Sequence, residues 1–277
     1  MPRPLSSPYA WGARPFARGL RTPAVLVALL LTVLGAGPAL GATFTVLGTG
    51  NAGPGTLRDA ILSANATEAG DKIRFSLKTT DPGYVAAVGV WVITLSSALP
   101  DVSHPLTLDA GTQDGFSDGH PVVALDGDGV SNGAGITLRG GDSLVRGLII
   151  QSFPGAGVSL VGPGNYDIKH CWIGLDLDGT GPRGNGSHGV SIGAPNSRVG
   201  AIGAGNVISG NAQSGVLIGG AAASGSSVVA SFIGLDAQAV NAVSNGNHGI
   251  LIAEGAADIV IGGASALAGN VISGNAA

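Results

Sequence analysis

Charge, aromatic rings and sulfur are all scarce in this chain of 277 residues. Charged residues make up 11% and aromatics 4%, and Cys171 is the one cysteine. Ordinary globular chains carry about 25% charged residues. A single thiol permits no internal disulfide, so stability has to come from packing. Cys171 lies in the run His170-Cys171-Trp172-Ile173 and reads as a small core hydrophobe. Few rings leave few stacking platforms, chiefly Trp91, Trp172 and Phe232. Trp172 and Phe232 occupy the same place in a repeat, which points to packing. The acidic stretches complete neither the EF-hand pattern nor the Gly-Gly-x-Gly-x-Asp calcium nonapeptide.

What is abundant is glycine, 49 residues, within a chain that is 44% hydrophobic. A disordered chain lacks Val, Ile and Leu, so the glycine signals corners rather than disorder. Gly and Asn together suit a fold with many tight turns, where positive φ recurs.

Residues 1–42 stand apart. Arg3, Arg14, Arg18 and Arg21 precede the apolar run Ala24–Leu34, and small residues follow from Gly35 to Ala42. This is the order of a secretory signal peptide, with cleavage expected after Gly41 or Ala42; an uncleaved N-terminal anchor is the alternative. The run is shorter than the ~20 residues of a membrane span. No Arg-Arg pair and no Cys after the apolar run argue against twin-arginine or lipid-anchored export. Loss of this segment leaves 9 basic residues against 17 acidic ones, a net charge of −8. Such a surface repels nucleic acid. The mature chain is expected to carry no membrane span.

From residue 43 the chain reads as short strands and turns. Thr56-Leu57-Arg58-Asp59 looks like a capping box, with Leu57, Ala60, Ile61 and Ala64 on one helical face. The region 43–80 is therefore expected to cap a stack of strands. Further on, longer motifs recur. Trp172-Ile-Gly-Leu-Asp176 returns as Phe232-Ile-Gly-Leu-Asp236, and Asn185-Gly-Ser-His188 as Asn245-Gly-Asn-His248, both 60 residues later. Gly205-Asn-Val-Ile-Ser-Gly-Asn211 returns after 64 as Gly269–Asn275. A rung marker recurs at Gly135, Gly157, Gly189, Gly215 and Gly249, each followed by alternating apolar residues. Repeats of this kind define a solenoid whose units bury their apolar faces by stacking. Val190 and Ile192, Val216 and Ile218, and Ile250 and Ile252 should form columns. Asn206, Asn211, Asn270 and Asn275 should sit at corners, in left-handed backbone and in amide ladders. The longer steps should carry loops at 176–184 and 236–244. The expected fold is all-β, a single-stranded right-handed parallel β-helix over residues 43–277 with a short N-terminal capping helix. The last strand signature stops without a cap, so the C-terminal end is expected to be truncated or to stack on something else.

The segment Phe44-Thr-Val-Leu…Gly53-Pro-Gly-Thr-Leu-Arg-Asp-Ala-Ile61…Asp71-Lys-Ile-Arg-Phe75…Leu99-Pro100 resembles the opening segment of bacterial secreted right-handed parallel β-helix repeat proteins, which share the pectin lyase-like fold. The Ile-Gly-Leu-Asp and Gly-Asn-Val-Ile-Ser-Gly-Asn repeats look like their coils. That resemblance implies either an uncharacterised surface protein or adhesin, or a pectin lyase-like enzyme.

His188, in Ser187-His-Gly-Val-Ser-Ile-Gly193, is similar to a Gly-His-Gly-containing segment of polygalacturonases. The Asn-Thr-Asp, Asp-Asp and Arg-Ile-Lys motifs of those enzymes are missing, and His248 repeats the position. A corner residue recurs from coil to coil; a catalytic residue has no reason to. Asp109, Asp114, Asp118, Asp126 and Asp128 crowd into 20 residues around His120. Asp126 with Asp128, and Asp176 with Asp178, form calcium-loop-like pairs and are the Ca²⁺ candidates; solvated Asx turns are the alternative. A lyase would need a base beside such a cation, and Lys169 and Arg146 are the available ones, otherwise single exposed charges. The leading expectation is a secreted or cell-surface repeat protein, non-catalytic, for adhesion or glycan binding, with extracellular polysaccharide or surface glycan as partner. The alternative is a polysaccharide lyase, glycoside hydrolase or C5-epimerase acting on acidic polysaccharide.

Overall fold

The computed structural model describes residues 40–277, so the leader expected over 1–42 lies outside the described residues except for its last three. Among the described residues there is one α-helix, Leu57–Ala64, with three short 3₁₀ turns; the remaining regular structure is β. The helix starts where its cap was expected. The Thr56 hydroxyl accepts the Asp59 N–H at 3.4 Å, and Leu57, Ala60, Ile61 and Ala64 are buried. The reciprocal bond slips by one residue, because Asp59 accepts the N–H of Gly55 rather than of Thr56. The helix packs on Thr43–Val46 and Asp71–Phe75.

The strands form three sheets of eight, five and eight members. The first sheet runs from Thr43–Val46 through Leu106–Asp109, Leu144–Arg146 and Asp167–Lys169 to Val260–Ile261. The second holds Ile136–Leu138, Val158–Leu160, Val190–Ile192, Val216–Gly219 and Ile250–Ala253. The third includes Val123–Asp126, Leu148–Gln151, Trp172–Ile173, Val207–Ile208, Phe232–Ile233 and Val271–Ile272. From Ile136 onward the chain visits the second, first and third sheets in strict rotation. Among the described residues every ladder is parallel except that between Tyr84–Val85 and Val90–Thr94.

Parallel register puts like residues over like. Val158, Val190, Val216 and Ile250 align in one row, and Leu160, Ile192, Ile218 and Ile252 in another. Val190, Ile192, Val216 and Ile218 are buried, whereas Ile252, on the sheet's last strand, is 45% exposed. One apolar cluster collects inward residues from all three sheets, among them Val145, Ile168, Val158, Ile150, Ile173 and Ile208. Neighbours in register thus bury one another's side chains, which for each Ile or Val contributes about 1.5–3 kcal/mol.

Asparagine completes the stack. Asn185 donates through its amide to Asn211 at 2.9 Å, Asn211 to Asn245 at 2.9 Å, and Asn245 to Asn275 at 2.8 Å. The ladder therefore includes Asn185 and Asn245, which recur in the repeat but were not among the asparagines expected at corners. Asn206 and Asn270 form a second column, accepting the backbone N–H of Cys171 and Ser231. None of Asn206, Asn211, Asn270 and Asn275 is left-handed; the left-handed places fall to neighbours such as Gly210 and Gly274. The amide needs an ordinary backbone to aim along the stack, and the adjacent glycine makes the turn. No helix among the described residues is long and apolar enough to cross a membrane.

Candidate functional site

The third sheet is apolar on both faces, and this builds the site. Ile150, Ile173, Ile208 and Ile233 point into the main cluster. Their chain neighbours Ile149, Trp172, Val207 and Phe232 form a second cluster on the opposite face. An apolar outer face needs cover, and the two long loops supply it. Leu175 and Leu177 belong to the first loop region, and Ala237 and Val243 to the second. Gly179 lies so close to Trp172 that a Cβ there would sit 2.8 Å from the indole ring. The loops at 176–184 and 236–244 are thus lids on a sheet face, which explains the longer repeat steps.

Cover is incomplete beside the corner between the first and third sheets. A groove of about 220 Å³ remains, lined by Asp118, His170, Trp172, Asn206, Val207 and Phe232 among others. The segment 113–122 forms one wall and is latched by side chains. The Trp172 indole donates to the Gly119 carbonyl at 3.2 Å, and His120 meets the Trp172 ring edge-on at 5.2 Å. Phe116 meets the His170 ring edge-on at 5.9 Å, and the Arg146 guanidinium lies 4.8 Å from the Phe116 ring centre.

His170 occupies a left-handed corner, with φ of 52°. The preceding visit has Gly147 at this corner, also with positive φ. Histidine tolerates this conformation better than most side chains, yet a non-glycine residue there is uncommon. Its Nε2 lies 3.4 Å from Oδ1 of Asp118, which also faces Arg146 at 3.4 Å. Burial pushes the His170 pKa down and outweighs the opposing pull of Asp118. The ring is therefore neutral at pH 7 and able to accept a proton or a hydrogen bond. Asn206 is committed, donating to the Ile168 carbonyl at 2.8 Å. Asp118 is the one carboxylate among the described residues lining the groove, and its side chain is 72% exposed.

The residues singled out in the sequence are dispersed around this groove. Lys169 and Arg146 are register neighbours in the first sheet. They are not single exposed charges: Lys169 pairs with Asp167 at 3.0 Å and Arg146 with Asp109 at 3.2 Å, and all four side chains are less than one-third exposed. Burial pushes the Asp167 carboxyl up, but Arg198 and Lys169 hold it below the usual range. His188 accepts the Ser214 N–H on Nδ1 at 3.2 Å, tying one coil to the next rather than bonding within its own corner. Burial lowers its pKa. His248 is exposed.

Three of the four carboxylates in the calcium pairs, those of Asp126, Asp176 and Asp178, are engaged by the chain itself. Asp126 is buried and accepts from Gln151 at 3.0 Å, Arg183 at 3.1 Å and the Asp128 N–H at 3.1 Å. Asp176 and Asp178 both accept the Thr180 N–H, in the manner of an Asx turn. Burial raises the Asp176 pKa. Among the described residues no three His, Cys, Asp or Glu side chains gather as a metal ligand set. Cys171 is fully buried, and burial pushes its thiol up to about 11.

The sequence reading passed over His170 and its contact with Asp118. Aligning Arg146-Gly147-Leu148-Ile149-Ile150 with Lys169-His170-Cys171-Trp172-Ile173 would have revealed a histidine where the previous coil has glycine. No protein-family model matches the chain, and no curated protein matches it significantly.

Proposed function

We propose that the chain is an exported right-handed parallel β-helix of the secreted repeat type, and that it binds an extracellular glycan, without cleaving it, in the groove beside Trp172 and Phe232. The rotation through three parallel sheets, the stacked apolar rows and the asparagine ladder support the helical reading. The leader composition and the acidic mature chain support export to the medium or cell surface. The single observation that carries the binding reading is the groove itself. It combines an aromatic edge, a neutral imidazole and an exposed carboxylate, the mixture that fits the apolar faces and hydroxyls of a sugar. A bound hydroxyl can donate to Asp118 or His170. The conventional glycosidase needs two carboxylates flanking the bond, and one lines this groove.

One observation favours a second reading, a lyase or epimerase on acidic polysaccharide. His170 is a neutral base lying beside the cations Arg146 and Lys169, which could draw in a carboxylated sugar. The test is titration of the exported protein with neutral and acidic oligosaccharides, with product analysis of every mixture. Binding without products, weakened about tenfold by Phe232→Ala, is the expected result. Unsaturated, shortened or epimerised products, abolished by His170→Asn, would replace it with the second reading. No binding to any glycan would overturn both.

A further inference from the structure

We propose that the exported chain is cut between Gly41 and Ala42, and that the new α-ammonium of Ala42 is captured by the buried carboxylate of Asp71. This rests on the export reading above and goes beyond it by fixing the bond and giving the new end a structural role.

The sequence leaves two bonds open, and the physical requirements separate them. Signal cleavage needs small residues one and three positions before the cut. Cutting after Gly41 places Gly41 and Ala39 there; cutting after Ala42 places Leu40 at the third position. The fold begins at the same point. The Ala42 carbonyl accepts the Lys72 N–H at 2.8 Å, the first rung of the ladder between Thr43–Val46 and Asp71–Phe75. Leu40, by contrast, is 95% exposed.

Asp71 is the second, independent observation. It is 1% exposed. Its Oδ1 accepts the Ala42 N–H at 2.6 Å and its Oδ2 accepts the Thr67 hydroxyl at 2.6 Å. None of the ion pairs among the described residues includes it. A buried carboxylate held only by neutral donors is unfavourable. Hydrolysis supplies the missing charge without moving a heavy atom. Water adds across the Gly41–Ala42 amide under a signal peptidase; Gly41 leaves with the new carboxylate, and the Ala42 nitrogen takes up protons as an ammonium. The Ala42–Asp71 contact then becomes a charge-assisted bond, which is shorter and stronger than a neutral one. Gly41 fits the precursor only as glycine, since a Cβ there would lie 1.9 Å from the Gly70 carbonyl oxygen. Processing thereby fastens the first strand to the second.

The full-length precursor is expressed in an exporting bacterial host, and the exported protein is examined by N-terminal sequencing and intact mass. The expected first residue is Ala42. A second precursor carries one alanine inserted after Gly41, so that the ammonium moves out by one residue. Its Tm should fall by about 4 °C or more, and the same insertion should have no effect in an Asp71→Asn background. Labelling of the α-amine by a pyridine carboxaldehyde, which needs no Asp71 variant to fold, should be at least about tenfold slower in the natural chain than in the insertion variant. A first residue other than Ala42, an equal Tm loss in both backgrounds, or equal labelling rates would overturn the proposal. Cleavage at another bond would leave export standing, whereas no cleavage at all would remove both.

Discussion

The outer faces of the first and third sheets solve the same problem in opposite ways. Each belongs to a stack of short parallel strands and shares the inner core. Outside, the first sheet carries ionic rows: Arg74, Asp109, Arg146 and Lys169 align in register, as do Asp167 and Arg198. Asp109 pairs with Arg146, and Asp167 with Lys169 and Arg198, so most of these charges are met by their own sheet, and segment 113–122 touches the row at Arg146. The third sheet carries Ile149, Trp172, Val207 and Phe232 outside, and there the chain spends two insertions on cover. The groove exists because the cover stops short. A polar face is finished by its own side chains; an apolar face needs another part of the chain, and the seam between the two is where a ligand can enter.

The largest effect should come from the covered face. Trp172→Ala removes the ring on which segment 113–122 and the loop at Gly179 rest, and should lower stability by about 3–5 kcal/mol in denaturant unfolding. A loss under about 1 kcal/mol would mean that the loops do not depend on that face, and the contrast between the sheets would fail.

A middle-sized effect should come from pH. His170 and His188 both have lowered pKa values in the folded chain. The unfolded chain then binds more protons just below the ordinary histidine value of about 6.5. Stability should be fully present above that pH and should fall as pH drops through it toward the lower folded values. Urea midpoints from pH 8 to pH 5 would register this. His170→Asn, which keeps a residue tolerant of the left-handed corner, should flatten part of the fall; an unchanged slope would remove His170 from the account.

The smallest effect belongs to the ionic face. Arg198 is 64% exposed and its pair with Asp167 is screened by solvent. Arg198→Ala should cost at most about 1 kcal/mol at low salt and nothing measurable in molar salt. The lowered Asp167 pKa sets the acid side: this contribution is present above the ordinary carboxylate value and is lost as pH falls through the folded one. A large, salt-independent loss would show that the ionic row supports the stack as the apolar row does.

The stack was legible in the sequence because its rules are local. Alternation in Val190-Ser191-Ile192 gives the inward face, and repeats at fixed offset give the columns. The helix Leu57–Ala64 was legible from Thr56 and Asp59 for the same reason. The groove was not, because Trp172 reads as core by composition, and only the three-sheet rotation reveals that it points to the opposite face from Ile173. Nor were the ion pairs, since Lys169 and Asp167 are two apart on one strand while Arg198 arrives 31 residues later. His170 was hidden behind the repeated His188, which turned out to bond a backbone N–H of the next coil.

The in-register parallel stacking on which all of this depends can be tested by cross-linking on the second sheet. Ser159 and Ser191 are register partners on adjacent strands, and Leu217 lies one strand further along the same row. Adjacent strands are about 4.8 Å apart and next-nearest ones about twice that, beyond disulfide reach. Oxidation of the Ser159→Cys/Ser191→Cys protein should give a disulfide with the fold retained, and the Ser159→Cys/Leu217→Cys protein should stay reduced. A disulfide in the second pair, or none in the first, would contradict the stacked register.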